Sequence, residues 1–132
     1  MKVKINGGEY DYVPNKKHRN KTPKASQWRI SQSLEIASFS QSIGEGWLDG
    51  NYSWGLHQVS GSCQYLGVDR DHITRVFIAR FEAKATPAVW HGYPVNYAFE
   101  RPPESVTKNW LSSGALAAAK VRKIIQGKRC SL

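Results

Sequence analysis

Polar and apolar residues alternate from the first positions of the chain. Val3 and Ile5 fall on one side of an extended segment over residues 2–5. Tyr10 and Tyr12 then alternate with Glu9 and Asp11. Between the two runs stands Asn6-Gly7-Gly8, whose residues accept the positive φ of a tight turn. The pattern predicts a β-hairpin. It stops at Pro14. From there to Lys24 the chain carries Lys16, Lys17, His18, Arg19, Lys21 and Lys24, with no acidic and no large apolar residue. Such a stretch reads as a solvated basic loop, or as an arm that grips phosphates.

Helical spacing comes next. Ile30, Leu34 and Ala37 share one helical face, predicting a helix over 26–43 capped by Ser26 and ending before Gly44, although its many serines lower helix propensity. Residues 44–67 are rich in glycine and aromatics, with a second hairpin signal at Asp49-Gly50 and short strands around Trp54, His57, Val59 and Tyr65. Val76 to Phe81 is apolar at almost every position, as expected of a central strand covered on both faces. Pro87 and Pro94 interrupt 86–97, which reads as an ordered loop plus an edge strand.

Two helices are expected at the end. Pro102 and Pro103 lead into Glu104, Val106 and Trp110 form a stripe that Leu111 extends, and Gly114 suits a C-cap. A second helix follows over 115–126, with Ala117, Val121, Ile124 and Ile125 on one face and Gly127 as its stop. Trp110, Val121, Ile124 and Ile125 are expected to be buried where this pair meets the sheet. The expected fold class is α+β: a mostly antiparallel sheet, one helix in the N-terminal half and a C-terminal helical pair. No internal repeat or low-complexity tract divides residues 1–132, so one domain is expected.

Charge changes the picture more than composition does. The formal net charge is +9, from 19 Lys and Arg against 10 Asp and Glu. An anionic partner, RNA or DNA first, is the usual reason for such an excess; solubility alone is the plainer one. Five Trp, six Tyr and four Phe can fill a small core. The start lacks a signal-peptide apolar region, no segment approaches the ~20 apolar residues of a membrane span, and Cys63 and Cys130 are too few for a disulfide scaffold. These features lead one to expect a cytoplasmic protein without a membrane association, and a leaderless secreted toxin would share them. The tail Cys130-Ser131-Leu132 is one residue short of a prenylation box.

The segment Trp90-His91-Gly92-Tyr93-Pro94 carries the best candidate chemistry. In an extended backbone His91 and Tyr93 point the same way, so an acid–base imidazole and a phenol could face one pocket. Gly92 would let a ligand or chain approach the backbone. Arg80 lies inside the best strand, where a charge needs a partner such as Glu82; beside His91 it would help make a phosphate-binding or phosphoryl-cleaving pocket. The plainer alternative is an aromatic turn packed on the sheet with an inert His91.

Other chemistries find little support. His57, His72, His91, Cys63, Asp69 and Asp71 are scattered, so neither a metal nor a cofactor is expected. Nucleophile-elbow and nucleotide-loop motifs are absent. The last two helices resemble a helix-turn-helix in outline, with Lys120, Arg122 and Lys123 on the outer face, but Gln126, the one base-reading candidate, sits at the wrong end. Two readings of function remain. The first is a small nucleic-acid-associated protein, in its sharpest form a metal-independent ribonuclease. Its catalytic candidates are His91, Tyr93 and Arg80, and Lys16, Lys17, Arg19, Lys21, Lys120, Arg122 and Lys123 would hold phosphates. The second is a non-catalytic interaction domain for an acidic protein, with aromatics as core and interface anchors. Neither fixes an oligomeric state.

Overall fold

The first turn follows from its residues: Asn6 and Gly7 take φ of 47° and 81°, and β1 (Lys2–Ile5) pairs antiparallel with β2 (Gly8–Tyr12). The computed structural model describes residues 1–128; the tail Cys130-Ser131-Leu132 lies outside the described residues. Beyond β2 the chain forms a 3-10 turn (Lys16–His18), β3 (Gln27–Trp28), α1 (Gln32–Gly44), β4 (Leu48–Asp49), β5 (Tyr52–Val59) and β6 (Ser62–Gln64). Then come β7 (Gly67–Val68), β8 (Arg75–Val76), β9 (Ile78–Lys84), β10 (Val89–Val95), α2 (Glu104–Ser113) and α3 (Ala118–Gln126).

The main sheet has the order β1-β2-β10-β9-β5-β4, with β6 paired to β5. All its pairs are antiparallel except β2 with β10. β3, β7 and β8 form a small antiparallel sheet. The fold is therefore α+β, with one helix in the N-terminal half and two at the end. The run 76–81 does supply the central strand, but it divides at Phe77: Val76 belongs to the small sheet and Ile78 begins β9. No described helix is long and apolar enough to cross a membrane.

β10 corrects the expectation of an edge strand, because it lies between β2 and β9. Pro94 is tolerated there for a local reason. The pairing with β2 covers only Val89 and Trp90, so β10 has no β2 neighbour where its missing N–H falls.

The two faces of the sheet carry separate cores. One joins Phe39 of α1 to Tyr12, Phe81 and Trp90 of the sheet. The other joins Trp54, Leu56, Ile78 and Val95 to Trp110, Val121 and Ile124 of the C-terminal helices.

α1 starts six residues later than its serines suggested, capped by Ser31, whose hydroxyl accepts from Leu34 N at 3.2 Å. Its buried face is also not the apolar one: Leu34 and Ala37 are exposed, while Glu35, Ser38, Phe39 and Ser42 turn inward. Small polar residues let the helix close on the sheet. A Cβ on Gly55 would stand 2.5 Å from Ser38 Oγ, and that hydroxyl donates to Leu56 O at 2.9 Å.

At the C-terminus, Gly114 and Gly127 cap α2 and α3 in the left-handed conformation, as their positions implied. α3 begins only at Ala118, because Leu116 turns into the core instead. Trp110, Val121 and Ile124 are buried as expected, but Ile125 and Leu111 are about half exposed and Ala117 is exposed, so the expected stripes were too wide.

Candidate functional site

Cross-strand register builds the site. On the α2/α3 face three rungs run across β10, β9 and β5. Val95, Ile78 and Leu56 form the first, Tyr93, Arg80 and Trp54 the second, and His91, Glu82 and Tyr52 the third. The face thus turns from wholly apolar to ionisable within about 13 Å of strand. The C-terminal helices cover the first rung. In the second rung Trp54 still packs into that helical core, and a cleft of about 420 Å³ lies over the β9–β10 end of the second and third rungs, beside Tyr93, Glu82 and His91.

Within the second rung Arg80 Nη1 donates to the Tyr93 hydroxyl at 3.1 Å and meets Glu100 Oε1 at 3.4 Å. Its guanidinium also lies 4.2 Å from the Tyr52 ring centroid and 5.5 Å from that of Trp54. The carboxylate that meets Arg80 is therefore Glu100, not Glu82. Arg80 Nε is buried and has no acceptor among the described residues. Since Arg80 donates to the phenol oxygen, the phenol's own hydrogen is available to another acceptor. Burial, then Glu100, hold the Tyr93 pKa above the usual phenol range, so it stays a donor.

His91 stands across from Glu82, where side chains of paired residues lie about 5 Å apart. Its Nδ1 donates to Val13 O at 2.9 Å, which leaves Nε2 without a partner among the described residues. Gly92 serves the opposite face. A Cβ there would stand 2.1 Å from Phe81 Cδ1 and 2.9 Å from the Tyr12 hydroxyl, so the glycine admits core rings rather than a ligand.

A second imidazole completes the cleft, and it comes from the supposedly solvated loop. His18 is 6% exposed and stacks on Tyr93 with ring centroids 5.1 Å apart and planes 16° from parallel. Its Nδ1 bonds Ser26 O at 2.8 Å, so Nε2 is again the free nitrogen. Burial lowers the His18 pKa, an effect the Ser26 carbonyl opposes and the charge of Lys17 reinforces. In sequence His18 is one residue of a basic stretch. Only the tertiary crossing of residues 13–26 over β10 distinguishes it.

The basic residues divide by position. Lys17 lines the cleft together with Lys24, Arg70 and Lys84. Lys84 lies 3.8 Å from Glu82, whereas Lys17, Lys24 and Arg70 have no carboxylate within 4 Å among the described residues. Arg19 points elsewhere. Its Nη2 and Nε donate to the fully buried Glu35 at 2.8 and 3.1 Å, and its Nη1 donates to Ile30 O, so it belongs to the core. Lys16 borders a separate recess with Arg19, Lys21 is exposed, and Lys120, Arg122 and Lys123 lie on α3 outside the cleft lining. Among the described residues no three His, Cys, Asp or Glu side chains converge as a metal site.

No family model, curated protein or solved structure matches the chain.

Proposed function

We propose that the protein is a metal-independent ribonuclease acting in this cleft. The observation that carries the reading is the pair of imidazoles beside Tyr93, each with Nδ1 fixed on a main-chain carbonyl and Nε2 left free. General acid–base chemistry on a phosphodiester needs one group to take a proton and another to give one. Burial disfavours the charged form of His18, which suits the base. His91, across the strands from Glu82 and more open to solvent, is assigned the acid.

His18 removes the ribose 2′-hydroxyl proton, and the O2′–P bond forms. The P–O5′ bond then breaks, and His91, entering the step with a proton on Nε2, gives that proton to the departing O5′. The products are a 2′,3′-cyclic phosphate and a 5′-hydroxyl. Tyr93, Lys17, Lys24 and Arg70 offer hydrogen bonds and charge to the phosphorane oxygens. Arg80, already engaged by Glu100, acts by holding Tyr93.

The test is incubation of the protein with mixed RNA in excess chelator. Fragments ending in cyclic phosphate are expected. They should be lost in His91→Ala with the fold retained, and DNA of the same sequence should survive because it lacks the nucleophile. Intact RNA under these conditions overturns the reading. Capture of an acidic protein by the same surface would then favour the interaction-domain alternative.

A further inference from the structure

Phe99 is 79% exposed, and it precedes Glu100, a residue of the cleft wall. Its exposure is not that of a loose loop. Phe99 N and Glu100 N both donate to Asn96 O, at 3.0 and 2.9 Å, and Ala98 N donates to Asn96 Oδ1 at 2.9 Å. The same Asn96 reaches across to Asp69, another wall residue, with Nδ2 donating to Oδ2 at 3.1 Å. The turn is therefore tied to the cleft it borders. No aromatic ring of the described residues stacks on Phe99. Asp69 is followed in the chain by exposed Arg70, which lines the cleft together with Lys17 and Lys24.

A flat apolar ring held in water at the margin of a cationic cleft calls for a ligand with a flat apolar face and an anionic group. An unpaired nucleotide has both, because every base has a π-face. A bilayer would also accept an exposed Phe near a basic surface, but it cannot follow a chain into the adjoining concave cleft. We infer that Phe99 is a stacking platform for an unpaired base next to the scissile phosphate, so that the substrate is single-stranded RNA. The inference rests on the ribonuclease reading and narrows it to a substrate class.

The experiment measures binding of a labelled single-stranded RNA to His91→Ala protein by fluorescence anisotropy at fixed salt. Adding Phe99→Ala should weaken binding about tenfold, the scale of one lost stack, while Phe99→Trp retains it. Moving one abasic ribose along the RNA should reveal a position where the base and Phe99 matter together and Phe99→Ala causes no further loss. Duplex RNA should not respond to Phe99. Equal binding by the parent and Phe99→Ala overturns the platform, and the ribonuclease reading survives if wild-type protein still cleaves in chelator. A Phe99→Ala defect confined to anionic phosphatidylserine vesicles also overturns it. Absence of both RNA binding and wild-type cleavage overturns the platform together with the reading beneath it.

Discussion

Gly92 of β10 faces Phe81 of β9 so closely that a Cβ on the glycine would overlap the ring, 2.1 Å from Cδ1 and 2.4 Å from Cε1. Phe81 is fully buried and packs edge-on to Phe39, so it has little room to withdraw. Gly92→Ala should therefore destabilise the fold by about 1–3 kcal/mol through overpacking. Urea denaturation measures this directly, and an unchanged midpoint would show that the sheet yields at this point.

Arg19 should behave as a core residue rather than as a phosphate ligand. Glu35 is fully buried and has two partners, Arg19 and the Tyr12 hydroxyl at 2.5 Å. Removing the guanidinium leaves a buried carboxylate short of its counter-charge. Breaking a buried pair costs about 3–5 kcal/mol, and less is expected here because the Arg19 side chain is a quarter exposed. Arg19→Ala should lower the melting temperature and leave the salt dependence of RNA binding unchanged. The opposite pattern would return Arg19 to the binding surface.

The C-terminal helices offer a paired comparison. Trp110 is fully buried and meets Trp47 edge-to-face at 5.9 Å, whereas Ile125 is about half exposed. Trp110→Ala should cost about 3–5 kcal/mol and Ile125→Ala well under half of that. Calorimetry on the two variants checks the ranking, and equal losses would mean that α3 packs through a wider face than Val121 and Ile124.

These residues show where the sequence was legible. The first hairpin could be read because Asn6 and Gly7 encode their own backbone, and the glycine stops of α2 and α3 could be read for the same reason. The helix α1 could be read, but not its inward face, which is made of Glu35, Ser38 and Ser42, whose polarity is answered by groups remote in sequence: Arg19 and Tyr12, Leu56 O and Ser53 Oγ. β10 was misread because Pro94 argues against an interior strand, and no local rule says that β2 ends its pairing at Trp90. At the site, strand periodicity sufficed to put His91 and Tyr93 on one face. It could not supply His18 or Glu100, which arrive by tertiary crossings.

Salt dependence separates the basic patches. Phosphate contacts release counterions, so the logarithm of RNA affinity falls with that of salt by about 0.7 per contact for a single strand. Replacing Lys17, Lys24 and Arg70 together should flatten the slope by about 2 if each meets a phosphate in the cleft. The triple replacement of Lys120, Arg122 and Lys123 on α3 should change it little. A larger effect from the helix would move the interface away from the histidines.

His18 sets the expected pH dependence of both stability and rate. Its pKa in the folded protein lies below the ordinary 6.5, chiefly because of burial. As pH falls below 6.5 the unfolded chain takes up a proton at this position that the folded protein still refuses. Folding stability contributed by neutral His18 is therefore present above 6.5 and is lost as pH falls towards the lower folded value. The same proton blocks the proposed base, so the acidic limb of the cleavage profile should lie below 6.5, not at it. His18→Asn keeps a side-chain amide able to donate to the Ser26 carbonyl while removing the titration. It should flatten the stability slope between pH 7 and 5 and abolish cleavage at every pH. Denaturation midpoints and initial rates on the same buffers test both together. A variant that flattens stability but still cleaves would leave His18 a structural residue, and the base would have to be sought at His91.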